Sequence, residues 1–230
     1  MARSFQDITS AEAWRVLVDA AIVAAKDKGF TLRRMPGRGR STVYEVERNG
    51  NKRLAAIRTT RDRLIAFPPM ADGWKTLDDV KLVFVAALDV PEAPANIQVF
   101  MFPADEVRAR FDAALAARIE AGHNIVENFG MWISLDADDR GLPASVGAGI
   151  ADNFRPIAVF PIDDELLASV DEIAAEKRDG AVADPAVTAN GRSQPPSGTI
   201  SEILEKARTD IATLAGVTDE KVKLDLKIEY

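Results

Sequence analysis

Residues 81 to 88 read KLVFVAAL, a continuous apolar run bounded by charge on both sides. A run of that length fits a central strand covered on both faces, and such a strand needs packing layers above and below it. The neighbouring segment IQVFMF, 97 to 102, lies across a proline-bearing loop and is its expected partner. With 230 residues, nearly half of them apolar, the chain has enough material for one substantial core or two modest ones.

The segments before this run are shorter and of two kinds. Thr9-Ser10-Ala11-Glu12 has the capping-box pattern, and Trp14, Leu17, Val18, Ala21, Ile22 and Ala25 follow at helical spacing up to Gly29. FTLRRM (30 to 35), TVYEVER (42 to 48), RLAAIRT (53 to 59) and RLIAF (63 to 67) then predict an antiparallel meander, with Asn49-Gly50 as its clearest hairpin turn. After the two apolar strands, Pro103-Ala104-Asp105-Glu106 opens a second helix whose stripe is Val107, Phe111, Ala114, Leu115 and Ile119, closing at Gly122. MWISLD (131 to 136) and IAVFPI (157 to 162) read as further strands, and 163 to 178 as an acid-started helix. The fold class is therefore α+β: a mixed sheet with an N-terminal antiparallel meander, flanked by helices.

Residues 1–178 form the expected main domain. Segment 179–198 is small, polar and proline-bearing, and reads as a flexible linker. Residues 199–230 resume with a helix face and a strictly alternating strand, KLDLKIEY. About thirty residues cannot build a core of their own, so this tail either folds back onto its own domain or pairs with a second copy in a homodimer.

Composition narrows the chemistry. The chain contains no cysteine, which removes disulfides, thiolate nucleophiles and cysteine metal sites together. Neither a signal-peptide core nor a membrane-length apolar run is present, and a cytoplasmic protein is expected. The net charge is −7, unevenly spread: residues 1–75 hold 15 Lys and Arg against 8 Asp and Glu, and the remainder 14 against 28. A basic head on an acidic body reads either as an ordinary fluctuation of surface charge or as an anion site on the head, with self-complementary assembly as a competing use.

The element order over about residues 10–122 resembles the PD-(D/E)XK, restriction-endonuclease-like superfamily. That resemblance implies a carboxylate on the second meander strand, here Glu45 or Glu47, and an acidic-x-Lys triplet on the third, here Ala56-Ile57-Arg58. Ala56 has no oxygen to offer a metal ion, and Arg58 cannot accept a proton as a lysine would. The domain is accordingly expected to be a degenerate relative, with no catalytic residue, no metal and no cofactor. A metal-dependent nuclease using Glu12, Glu45 or Glu47 in a rearranged site is the remaining enzymatic reading.

What remains on the hairpins is positive charge. Arg38, Arg40, Lys52, Arg53, Arg58, Arg61 and Arg63 lie in or beside turns and form the candidate nucleic-acid surface, with no membrane partner expected. The opposing reading makes them solvated side chains that keep sheet edges from aggregating. His123 is read as a helix-end turn residue, and 136–141 fails as a calcium loop because Arg140 and Gly147 occupy ligand positions. Gly147 and Gly149 lack the third glycine of a dinucleotide loop, and Trp14, Trp74 and Trp132 are assigned to the core or its rim.

Overall fold

The computed structural model describes residues 4–36 and 43–168. Arg38 and Arg40, the 179–198 linker and the 199–230 tail lie outside the described residues, and the helix expected over 163–178 is described only from 164 to 168.

Helix α1 (Ser10–Asp27) begins as its sequence prescribes. The Thr9 Oγ1 accepts from the Glu12 N–H at 3.3 Å, and Glu12 Oε2 accepts from the Thr9 N–H at 2.7 Å. It ends where Gly29, at φ +82°, lets the chain reverse, and the N–H of Phe30 reaches back to the Ala25 carbonyl. Strands β1 (Thr31–Arg34), β2 (Val43–Arg48) and β3 (Asn51–Thr60) follow as an antiparallel meander.

The fourth predicted strand departs from that meander. Strand β4 (Leu64–Phe67) leaves the sheet and pairs antiparallel with β9 (Met131–Ser134). Between them in the chain come the short pair β5 (Pro69–Met70) and β6 (Gly73–Trp74), then β7 (Leu82–Leu88), β8 (Asn96–Pro103) and helix α2 (Ala104–Glu120). With β10 (Ala158–Pro161) at one edge, the main sheet runs β1-β2-β3-β7-β8-β10. The physical reason for the departure is competition for one edge of β3. Strand β7, buried at every position, needs neighbours on both sides, and it takes that edge as a parallel partner with Ile57 opposite Phe84. Ile65 and Phe67 of β4 then cover the sheet instead of extending it.

Two apolar clusters result, one on each face. Helix α1 supplies Leu17, Ala21 and Ala24 against Ala55, Ile57, Phe84 and Val99. On the other face, α2 and the β4–β9 pair close over Ala56, Val83, Val85 and Phe100. Here Phe111 meets the rings of Phe67 and Trp74 edge-on at 5.3 and 5.1 Å. The stripe expected on α2 fades toward its end, where Ile119 is exposed. Gly122, at φ +79°, closes the helix, and the His123 N–H bonds the Arg118 carbonyl, so the histidine stands at the helix end as its sequence context implied. Gly147 sits where a Cβ would come within 2.5 Å of the Arg110 carbonyl of α2, so this glycine serves a close backbone approach.

The loop joining β7 to β8 is organised by Asp89. Its carboxylate accepts from the N–H groups of Val90 and Ala95 and from the Asn96 amide at 2.8 to 3.0 Å. Burial alone would raise its pKa; the bonds from Asn96, Val90 and Ala95 outweigh that and hold the carboxyl below its usual value. A carboxyl whose folded pKa is depressed adds stability above its unfolded pKa, and that contribution disappears as pH falls through the folded value. Denaturation midpoints followed downward from pH 7 are therefore expected to hold until about pH 4 to 5 and then fall. Asp89→Asn should flatten part of that acid limb, and an unchanged limb would remove Asp89 from the acid response.

Candidate functional site

Strand β3 carries or immediately precedes all five described members of the predicted basic surface, but it does not gather them. At about 3.3 Å per residue, Lys52 and Arg61 stand roughly 30 Å apart. Alternation along the strand also divides neighbours between the two faces.

Lys52 lies opposite Glu47 and forms a ladder of alternating sign. Its Nζ is 3.6 Å from Glu47 and 3.8 Å from Glu45, and Glu45 is 3.3 Å from Arg33. Both carboxylates of the nuclease reading are thus held by cations on an open part of the sheet, while Ala56 is fully buried opposite Val43. Glu12 closes the α1 cap. Among the described residues, no three His, Cys, Asp or Glu side chains are grouped so as to hold a metal ion.

Arg63 is an internal clamp. Its guanidinium forks onto Asp136 at 2.5 and 2.7 Å and also donates to the Leu88 carbonyl and Gln98, tying β4 and the end of β9 to β7 and β8. The side chain is 11% exposed and its backbone has φ +59°, so it turns inward at the bend that releases β4 from the sheet. Asp138, the other acid of the rejected calcium loop, is gripped by Arg140, which holds its carboxyl down to about 2.

Arg58 and Arg61 open onto a cleft of about 440 Å³ at the far end of β3. Its walls are Ser10, Ala13 and Trp14 at the start of α1, residues 58–62, Leu64 to Ala66 of β4, and Trp132 of β9. The Arg58 guanidinium lies 4.3 Å from the Phe67 ring centre, with Nε donating to the Ala66 carbonyl and Nη1 to that of Ile57. Burial lowers its pKa to about 10, which leaves it cationic at neutral pH. Arg61 is located by Gln6, whose Oε1 accepts from Nη2 at 2.8 Å. Asp62 also lines the cleft, but its Oδ1 accepts from the Thr60 hydroxyl and the Leu64 N–H and so shapes the turn.

Two tryptophans complete the cleft. Trp14 and Trp132 are 41% and 43% exposed, and Phe129 meets the Trp132 ring edge-on at 5.7 Å. Gly130 permits this arrangement, since a Cβ there would come within 2.9 Å of the Trp132 ring. The Arg118 guanidinium fixes the Trp132 carbonyl at 2.6 Å. Trp74, by contrast, is buried and donates to Asp112. The sequence showed three scattered tryptophans, and only the β4–β9 pairing brings Trp132 to the same opening as Trp14. No local signal marks that meeting.

The fold and cleft define an α+β protein with a cation- and tryptophan-lined opening beside its central sheet. No family model, curated protein or solved structure matches the chain. No helix among the described residues is long and apolar enough to cross a membrane.

Proposed function

We propose that the chain is a non-enzymatic binding protein that holds single-stranded nucleic acid in the Arg58–Trp132 cleft. The observation that carries this reading is the convergence of Arg58, Arg61, Trp14 and Trp132 on one opening. Single-strand binders pair backbone cations with ring faces on which bases stack, and one such stack contributes about 1–3 kcal/mol. The cleft volume falls within the usual range for a ligand of nucleotide size. The reading takes the domain as a degenerate restriction-endonuclease-like relative, on the strength of its helix, meander, strand and helix order. It moves the contact from the hairpin tips to the end of β3, and it excludes Arg63, which does not line the cleft.

The test is a titration of labelled single-stranded DNA and RNA at low and moderate salt, with tryptophan fluorescence as a second signal. Trp14→Ala is expected to weaken binding about 5- to 100-fold, and Arg61→Glu to weaken it and flatten the salt dependence. Absence of binding at low salt, or affinity unchanged in both variants, would end the proposal. The competing reading is a protein-interaction module, and the exposed Phe129 against Trp132, with exposed Val126 three residues before it in the chain, favours it. Light scattering that shows self-association abolished by Trp132→Ala, without nucleic-acid binding, would select it.

A further inference from the structure

A second cavity, of about 270 Å³, lies at the opposite end of β3. Its floor is Phe30, Leu82 and Met101, and its rim is Arg48, Asn49, Asn51 and Arg53. Strand alternation sorts the charges of this hairpin. Arg48 and Arg53 fall on the α1 face with Tyr44 and Val46, whereas Glu45, Glu47 and Lys52 fall on the other. The acids that could neutralise the rim are therefore on the wrong side of the sheet, already bonded to Arg33 and Lys52.

Both rim arginines are exposed, and among the described residues no ion pair joins either to a carboxylate. Among the described residues, no acid lines the cavity. The Arg48 guanidinium sits 5.4 Å from the Phe30 ring centre, a contact that limits its wandering at the rim. The carbonyls at the end of α1 do not oppose an anion strongly here, because the N–H groups of Lys28, Gly29 and Phe30 already bond them. Two uncompensated guanidinium groups and two side-chain amides above an apolar floor match an anion of charge about −2 that carries a small apolar body.

We infer that this hairpin cavity is a site for phosphate monoesters, the phosphate taken by Arg48 and Arg53 and the ester's apolar group seated on Phe30, Leu82 and Met101. The site is independent of the cleft at the other end of the strand. Phenyl phosphate is the probe, followed through backbone amide NMR signals of Asn49 to Arg53 in the full chain. Saturable shifts are expected, with affinity about tenfold or more above that of inorganic phosphate, since only the ester uses the floor. Arg53→Gln should weaken binding about tenfold, the loss of one charge-assisted contact. Asn51→Asp, an exposed change that removes no core atom, should weaken it as well. Trp14→Ala should leave it intact, which separates this site from the nucleic-acid reading. The inference is overturned by shifts that do not saturate, by equal affinity for inorganic phosphate, by an Arg53→Gln variant that binds normally, or by loss of binding in Trp14→Ala.

Discussion

Phe111→Ala is expected to lower the free energy of unfolding by about 3–5 kcal/mol, the range for removing a fully buried aromatic ring. Phe111 is the point at which α2 engages the second face of the sheet, touching Phe67 of β4 and Trp74 of β6 at once. Neighbours drawn from two separate strands cannot both relax into the space left behind, so the cavity persists and adds to the lost transfer energy. Each edge-on ring pair contributes about 0.5–1.5 kcal/mol beyond the area it buries. The variant also reaches the cleft, since Phe67 is the ring beneath the Arg58 guanidinium. Urea unfolding of the full chain, with an unchanged denaturant slope, provides the measurement. A loss below about 1 kcal/mol would show that α2 is not what holds this face. Phe111→Leu, which retains most of the volume, should lose distinctly less.

Arg63→Met is expected to cost about 2–4 kcal/mol, although a surface nucleic-acid contact would cost almost nothing. Removing one member of a buried pair leaves its partners without a donor, a loss of about 3–5 kcal/mol when both are dry. Asp136 is 46% exposed, and water recovers part of that. The Leu88 carbonyl and Gln98 lose a donor as well. A cycle with Asp136→Asn separates the pair from the rest. Coupling of about 1 kcal/mol or more is expected for two groups in direct contact, whereas additive losses would reduce Arg63 to a carbonyl-bonding residue. Binding of single-stranded nucleic acid by whatever folded Arg63→Met protein remains should be unchanged, because Arg63 does not line the cleft.

Much of the main domain was legible from periodicity. The cap at Thr9, the stops at Gly29 and Gly122, the Asn49-Gly50 hairpin and the central strand at 82–88 all appear where residue patterns place them. The misplaced element was β4. RLIAF has the alternation of a fourth meander strand, and nothing within five residues states that β7 will claim the edge it would have used. The candidate site was legible to a smaller degree. The basic residues were visible, but Lys52 is neutralised by neighbours on β2 and Arg63 by an acid on a distant loop. Trp14 lies on the helical stripe with Leu17 and Ala21, and of the core or rim expected for it the structure gives the rim, at the lip of a cleft.

Residue order alone carries the local elements, the absence of cysteine, and the lack of any acidic side chain in the third meander strand. These follow from side-chain chemistry and from periods of a few residues, which every window of the chain contains. Which cations are paired with acids, which tryptophans share an opening, and the division of the basic residues of β3 between two openings are tertiary outcomes. Those outcomes depend on which distant segment wins a sheet edge and which acid reaches which arginine, and both are competitions settled only when the whole core closes.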